Sequence, residues 1–252
     1  MDFGQLKWSS DRLLIHDWVF RLEYNRNDDT WELGEQCFPL IKSDVLLDSY
    51  ADFFGKRPGF QAKQIVEIGM FSGGSIALWN EIFKPDTMVG IDLQPCQEND
   101  YFSKYLLESN AADKIHRYWD TNQSDKKRIV EICTRHMGQG IDLVLDDASH
   151  LYEPTKRSFE ALFPLLRPGG LYIIEDWNWA HTASFQKDTS VWRNETALTQ
   201  LIFDVVEAVG SSPLISNVHV FNGYAVIEKC LKQHEQLSEF SLEKIISRRP
   251  HI

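Results

Sequence analysis

The sequence predicts an α/β fold: a mostly parallel sheet with a C-terminal antiparallel hairpin and an N-terminal helical cap. The first observation is that, from about residue 60 to residue 210, short apolar runs alternate with amphipathic helical stretches. This alternation is typical of a parallel sheet covered by helices on both faces. The second observation is that two apolar runs flank Asn222-Gly223, and Asn-Gly favours a tight hairpin because both turn residues need positive φ.

The amino-acid composition limits the classes of protein to which the chain can belong. The 252 residues are 43% hydrophobic, which is enough for the core of one large domain. Acidic residues outnumber basic ones by 37 to 26, so the net charge of −11 argues against a nucleic-acid partner. No apolar run reaches the roughly 18 residues of a membrane span, and the N-terminus lacks the pattern of a secretory signal. The four cysteines are far apart, so we expect reduced thiols and a cytoplasmic location.

Three segments are expected along the chain. Residues 1–60 are rich in aromatic side chains without a strand rhythm, and Tyr50 and Phe53 follow a helical face, so this segment is expected to be a helical cap on the substrate side. Its aromatic residues either only pack on the next domain or also roof a ligand pocket. Residues 61–230 are expected to form the ligand-binding domain, and residues 231–252 a charged, peripheral tail.

The alternating region gives the order of the elements. Predicted strands cover 64–68, 88–91, 115–119, 141–145, 171–174, 215–221 and 224–228. Predicted helices cover 75–83, 100–109, 124–137, 155–166 and 195–209. The turn at 167–170 is expected to end the fourth of these helices. Ligands of such sheets bind outside the carboxyl ends of the strands, so the residues at those ends are the candidates for function.

A glycine-rich turn and an acidic residue follow the first two strands of this region. Gly69 and the glycines at 73–74 allow a sharp turn and close approach to a ligand, with free N–H groups on the next helix. No Gly-Lys-Ser/Thr follows, which excludes a Walker loop. Asp92 lies 23 residues after Gly69, at the position expected for binding ribose hydroxyls. Asp92 alone would fit a helix cap or turn, but together the two features predict nucleoside binding.

Four carboxylates and a histidine follow the next two strands. Asp146 and Asp147 end one strand, Glu175 and Asp176 end the other, and His150 lies just beyond. Crowded carboxylates repel unless a cation lies among them, and this many oxygen ligands favours Mg²⁺, Mn²⁺ or Ca²⁺ over zinc. The alternative is that one of each pair caps a helix and the other is solvated. A neutral His150 could take a proton from a metal-bound hydroxyl, or it could simply be packed or solvated.

Two tryptophans follow these acids directly. The stretch Trp177-Asn178-Trp179-Ala180-His181 could form a mobile lid whose indoles stack on a sugar or ring. The alternative is that both indoles pack into the edge of the domain. The sequence does not choose between the two interpretations.

Five motifs in this order resemble a known family. They are VEIGMFSGG, VGIDLQP, DTNQSD, IDLVLDDASH and LRPGGLYIIEDW. Together they resemble the Rossmann-like class I S-adenosylmethionine-dependent methyltransferases. Within that group they are similar to the metal-dependent sugar O-methyltransferases of macrolide biosynthesis and their cephalosporin hydroxylase-like relatives. The resemblance covers about residues 60–180, and the hairpin at 215–228 fits the last two strands of the family.

The resemblance implies roles for the residues at the strand ends. For the cofactor, these are Glu67, Gly69 and Ser72 in the loop, Asp92 at the ribose, Gln123 at the adenine and Asp146 at the methionine end. For the chemistry, these are Asp147, Glu175 and Asp176 as ligands of the divalent metal and His150 as the general base.

The implied function is divalent-metal-dependent O-methylation. S-adenosylmethionine and Mg²⁺ (or Mn²⁺) would be the cofactors, and the acceptor would be a hydroxyl of a glycoside or another natural product. A homo-oligomer with no membrane partner is expected. Two alternatives stay open: a catechol or phenol acceptor, which needs a flat aromatic slot, and a hydroxylase-like protein that binds the cofactor without transferring methyl.

Overall fold

The computed structural model describes residues 3–9, 11–22, 36–232 and 240–247. The strands are β1 (Lys7–Ser9), β2 (Arg12–Ile15), β3 (Trp18–Leu22), β4 (Phe38–Leu40), β5 (Gln64–Ile68), β6 (Thr87–Ile91), β7 (Ile115–Tyr118), β8 (Ile141–Asp146), β9 (Leu166–Glu175), β10 (Ile215–Val220) and β11 (Tyr224–Lys229). The helices are α1 (Asp44–Gly55), α2 (Gly74–Phe83), α3 (Asp100–Glu108), α4 (Lys126–His136), α5 (Tyr152–Leu162), α6 (Thr199–Ser211) and α7 (Leu242–Ile245). Within these ranges, no helix has the length and apolar character needed to cross a bilayer.

A seven-stranded sheet forms the centre of the molecule, in the order β10-β11-β9-β8-β5-β6-β7. Strands β5 to β9 all run parallel to one another in this sheet. Strand β11 is antiparallel to both β9 and β10. Every residue of β8 is buried, as expected for a central parallel strand covered on both faces. The predicted α/β fold is confirmed, and the carboxyl ends of β5, β6, β8 and β9 meet at one edge.

The C-terminal hairpin is also confirmed, and it supports that edge. Gly223 has φ of +93°, which the turn after β10 requires and which glycine adopts without strain. Tyr224 pairs with Glu175 in the ladder between β11 and β9. The backbone N–H of Asp176 donates to the carbonyl of Gly223 at 2.5 Å. The turn therefore fixes the backbone at the point where β9 ends.

The prediction of an N-terminal helical cap is wrong for most of that segment. Strands β1 to β4 form a separate four-stranded sheet, and α1 is the only α-helix among the described residues of the segment. Alternate residues of β3 (Trp18, Phe20 and Leu22) are buried, which is the period-two pattern of a strand with one face on the core. Helix α1 does bury Tyr50 and Phe53, as expected. Residues 23–35, between β3 and β4, lie outside the described residues.

The C-terminal tail is not wholly peripheral. The ring of Phe240 is buried, with centroids 6.0 Å from Phe159 and 5.5 Å from Phe163. The N–H of Leu242 donates to Glu160 Oε1 at 3.0 Å, which ties α7 to α5. The described part of the tail therefore covers one helix of the main domain because it carries two apolar side chains. Residues 233–239 and 248–252 lie outside the described residues.

The predicted turn at 167–170 is an irregularity inside β9, and a buried acid holds it. The ladder between β8 and β9 shifts register between Ile141 and Leu143, opposite this stretch. Asp142, 6% exposed, pairs with Arg167. Its Oδ2 also accepts hydrogen bonds from the backbone N–H groups of Lys63 at 2.8 Å and Gln64 at 2.7 Å. One carboxylate therefore joins the starts of β5 and β8 to the irregular stretch of β9.

Replacing Asp142 with Ala should lower the free energy of unfolding by about 3 kcal/mol. The substitution leaves two backbone donors without their acceptor and one guanidinium without its partner. Urea unfolding followed by circular dichroism measures the change. Asp113→Ala, at an exposed position, is the control and should change stability by less than about 0.5 kcal/mol. A loss below about 1 kcal/mol at Asp142 would contradict this role.

Candidate active site

A cavity of about 530 Å³ opens at the carboxyl edge of the main sheet. Its wall is built from the loops after β5, β6, β7, β8 and β9 and from residues 39–42, which run from the end of β4 toward α1. The predicted site residues on this wall are Gly69, Asp92, Gln123, Asp147, His150 and Asp176. The predicted site residues that are absent from the wall are Glu67, Ser72, Asp146 and Glu175. The N-terminal segment therefore contributes residues 39–42 to the pocket, but none of its aromatic residues that the structure describes lines the cavity, so they do not roof it.

Gly69 allows two loops of the cavity to meet. Its φ is +86°, and a Cβ at this position would lie 2.1 Å from the carbonyl oxygen of Asp147. The N–H of Asp147 in turn donates to the carbonyl of Ile68 at 2.9 Å. Only glycine permits this approach of the loop after β5 to the loop after β8. The glycine turn thus has a structural function in addition to any contact with a ligand.

Asp92 shapes the glycine loop from the end of β6. Its Oδ2 accepts the N–H of Phe71 at 2.7 Å, and its Oδ1 accepts the N–H of Gln94 at 2.8 Å. Phe71 has φ of +47°, so this hydrogen bond stabilises a left-handed backbone that favours glycine. A carboxylate oxygen has a second lone pair, so both oxygens can still accept a hydroxyl from the cavity.

Asp146 lies behind the cavity wall, and its contact with the methionine end of a cofactor stays a prediction. Its Oδ2 accepts hydrogen bonds from Ser158 Oγ at 2.5 Å and Tyr172 OH at 2.6 Å. Burial raises its pKa to about 6, although these two hydrogen bonds act in the opposite direction. The reason is the alternation of a strand: consecutive side chains point to opposite sides, and Asp147 takes the cavity side.

Gln123 connects Asp146 to the cavity wall. Its Nε2 donates to Asp146 Oδ1 and to Ser158 Oγ, both at 3.3 Å, and its Oε1 accepts the N–H of Ser149 at 3.0 Å. The side chain is 6% exposed and lines the cavity. Its contact with an adenine ring stays a prediction.

Glu67 and Ser72 lie behind the cavity wall. Glu67 is fully buried, and its Oε1 accepts a hydrogen bond from Trp79 Nε1 at 3.1 Å. Burial raises the pKa of Glu67 to about 8, against the opposing effect of the nearby Lys42 ammonium. Ser72 is 6% exposed. Of the three residues assigned to the cofactor loop, the structure therefore places only Gly69 on the wall.

Asp147, His150 and Asp176 come together at the cavity. Each offers one ligand atom, and these atoms lie within 4.8 Å of one another. His150 Nε2 is 3.8 Å from Asp147 Oδ1 and 3.9 Å from Asp176 Oδ2. His150 and Asp176 both have left-handed backbones, with φ of 56° and 53°. Two carboxylates that leave room for water suit Mg²⁺, so these residues fit the predicted metal.

Glu175, the third of the predicted metal ligands, is held by other partners in this structure. Lys42 Nζ donates to Glu175 Oε2 at 2.6 Å and to Asp147 Oδ2 at 2.8 Å. Tyr50 OH donates to Glu175 Oε1 at 2.8 Å. Burial alone lowers the pKa of Lys42, but the two carboxylates together raise it above its usual range, so the amine is charged. Glu175 is 2% exposed, and both its oxygens are engaged.

Lys42 and Tyr50 are the site residues that the sequence analysis missed. They come from the N-terminal segment, where a single lysine and a helical tyrosine form no recognisable motif. The sequence signal that could have indicated Lys42 is the crowding of carboxylates at the ends of β8 and β9. This crowding predicts a cation, but it does not say whether the cation is a metal ion or an ammonium group.

Both tryptophans after β9 are packed against other residues. This favours the interpretation that they pack into the edge of the domain over the interpretation that they form a mobile lid. Trp179 Nε1 donates to the backbone carbonyl of His150 at 2.7 Å, and its ring lies edge to face with Trp192 at 4.8 Å between centroids. Trp177 Nε1 donates to the carbonyl of Phe221 at 2.9 Å. Trp179 therefore supports the loop that presents the imidazole of His150.

Comparison with known proteins shows what the chain is similar to. Residues 66–177, less than half of the chain, match the family model described as a methyltransferase domain. It is 28% identical over 187 residues to demethylmacrocin O-methyltransferase from Streptomyces fradiae, covering 66% of this chain and 44% of that protein. It is 26% identical over 191 residues to mycinamicin VI 2''-O-methyltransferase from Micromonospora griseorubida, covering 67% and 44%. The chain spans about half the length of the curated relatives it matches.

Solved structures agree with the methyltransferase fold. The MycE methyltransferase in complex with Mg, SAH and mycinamycin VI superposes with a TM-score of 0.54 at 26% identity, covering 73% of this chain and 49% of that one. A caffeoyl-CoA O-methyltransferase-like protein from Staphylococcus aureus shares the fold at 17% identity, with a TM-score of 0.53 and coverage of 75% and 85%. The class I methyltransferase fold predicted from the motifs is confirmed.

The protonation of Glu67 should make the stability of the protein depend on pH. The folded state keeps this proton up to about pH 8, whereas the unfolded state releases it near the ordinary pKa of 4.5. The stability that Glu67 contributes is therefore fully present below about pH 4.5 and is lost as the pH rises through this window. Relative to Glu67→Gln, which keeps an acceptor for Trp79, the wild type should lose about 2–4 kcal/mol between pH 5 and pH 8. Urea unfolding at a series of pH values gives both curves, and parallel curves would refute the prediction.

Proposed function

We propose that the protein is an S-adenosylmethionine-dependent O-methyltransferase that uses a divalent cation to methylate a hydroxyl of a sugar or another natural product. The observation that carries the proposal is that Asp147, His150 and Asp176 open onto the same cavity as Gly69 and Asp92. The relatives support the acceptor class, since they are named for demethylmacrocin, for mycinamicin VI and, in a third case, for a rhamnosyl tetracenomycin.

The cavity suits the cofactor. Its volume of about 530 Å³ falls within the usual range for small-molecule sites. Asp92 would accept hydrogen bonds from the ribose hydroxyls. The N–H groups at the start of α2, directly after the glycine loop, would be further donors to the cofactor. Because Asp92 and Asp176 line one cavity, a cofactor held at its ribose can extend toward the acidic cluster.

Asp147 and Asp176 would hold the cation, because Mg²⁺ prefers carboxylate and water ligands to imidazole. When bound, the cation would orient the acceptor hydroxyl and lower its pKa. His150 Nε2 would take the hydroxyl proton as general base. The carboxylates 3.8 and 3.9 Å away would then stabilise the resulting imidazolium. Trp179 fixes the backbone carbonyl of His150 and so limits movement of the loop.

Product mass tests this function directly. The protein is incubated with S-adenosylmethionine, Mg²⁺ and a panel of deoxysugar glycosides and catechols, and the products are analysed by mass spectrometry. A gain of one methylene unit on a glycoside that disappears in excess chelator and returns with Mg²⁺ supports the proposal. Full turnover in chelator would remove the metal from it. Calorimetric binding of the cofactor without any methylated product would support the non-transferring alternative.

His150→Ala should lower kcat by about 10²–10⁴-fold, because a general base typically contributes that factor. Affinity for S-adenosylhomocysteine and for Mn²⁺ should stay close to that of the wild type, because the aspartates and the cofactor wall are unchanged. Steady-state kinetics and calorimetry measure the two effects. The matched control is His116→Ala on the edge strand β7, which should keep its kcat. Loss of Mn²⁺ binding in His150→Ala would instead make the histidine a metal ligand.

A further inference from the structure

A buried ammonium group lies next to the candidate metal site. Lys42 belongs to the segment that links β4 to α1, its side chain is 1% exposed, and it lines the cavity. Its Nζ lies 2.8 Å from Asp147 Oδ2 and 2.6 Å from Glu175 Oε2. These distances leave no space for a metal ion between the amine and either oxygen.

The carboxylate of Asp147 divides the site into two halves. Its Oδ2 faces Lys42, whereas its Oδ1 faces His150 Nε2 at 3.8 Å. We call the side with Lys42 and Glu175 the inner half, and the side with His150 and Asp176 the outer half. In the inner half, Tyr50 occupies the remaining oxygen of Glu175. The outer half is the more open, since the side chain of Asp176 is 60% exposed.

We propose that Lys42 acts as a built-in cation that confines the divalent ion to the outer half of the site and keeps Glu175 out of its ligand set. This inference rests on the proposed function. Three carboxylates line the two halves, and one ammonium with one divalent ion neutralises them. A metal ion in the inner half would have to displace Nζ from both carboxylates. A metal ion in the outer half is repelled by the ammonium, so Lys42 also weakens its binding.

Lys42 is therefore a positioning residue, and a purely structural ion pair predicts a different result. If Lys42 only stabilised the fold, its removal would loosen the carboxylates and weaken metal binding. If it excludes the metal from the inner half, its removal frees Glu175 and Asp147 Oδ2 as oxygen ligands and strengthens metal binding.

Mn²⁺ binding in the presence of S-adenosylhomocysteine, followed by electron paramagnetic resonance of the free ion, separates these cases. Lys42→Met should bind Mn²⁺ at least about tenfold more tightly than the wild type, because one repulsive charge is lost and one carboxylate ligand is gained. Glu175→Gln alone should change the affinity by less than about threefold, because Glu175 is not a ligand while Lys42 is present. The double variant should lose most of the gain of Lys42→Met. Lys156→Met is the control, because it removes the same charge from a lysine that is 11% exposed and pairs with the exposed Glu243, away from the site.

An unchanged or weaker affinity in Lys42→Met overturns the inference. A loss of about tenfold or more in the Mn²⁺ affinity of Glu175→Gln also overturns it. This variant keeps Lys42, so it decides the question even if Lys42→Met fails to fold. If Lys42→Met binds Mn²⁺ and the wild type does not, Lys42 excludes the ion from both halves, and both the inference and the metal part of the proposed function fail. If the wild type binds Mn²⁺ and Lys42→Met binds no more tightly, only the inference fails. If neither binds, both fail.

Discussion

The repulsion among carboxylates at one edge of the sheet is the constraint on which the site depends. Strands β8 and β9 each end in two acidic residues, and their parallel course brings all four to the same edge. The fold stabilises the buried ones with groups of its own: Asp146 accepts hydrogen bonds from Ser158 and Tyr172, and Glu175 is held by Lys42 and Tyr50. One oxygen of Asp147 and the carboxylate of Asp176 remain available to the cavity. The four acidic residues thus fall into two groups: buried carboxylates that support the site and carboxylates that face the cavity.

Much of the main domain could be predicted from the sequence because its strands are continuous apolar runs with glycine or acidic residues at their ends. The parallel topology then correctly brought Asp147 and Asp176 together. The β1 to β4 sheet was missed because its strands are three to five residues long and their aromatic residues obscure the alternation. The opposite directions of Asp146 and Asp147 follow from strand geometry, but the sequence does not show which of the two faces the cavity.

The N-terminal segment is part of the site rather than a separate cover. A Cβ on Gly74 would lie 2.1 Å from the carbonyl oxygen of Pro39, so the segment runs directly against the start of α2. From there the chain passes along the cavity wall at 39–42 and enters α1, which supplies Tyr50. Lys42 and Tyr50 lie eight positions apart in the sequence and hold the same carboxylate. No local pattern could have linked this segment to acids more than 100 residues away.

The contact between Gly69 and Asp147 couples the position of the loop after β5 to that of the loop after β8. The carbonyl of Asp147 lies against the Cα of Gly69, and its N–H is bonded to the carbonyl of Ile68. Because of this close contact and this hydrogen bond, a shift of either loop displaces the other. Movement of the backbone beneath the glycine turn is therefore transmitted to the aspartate that lies between the ammonium and the imidazole.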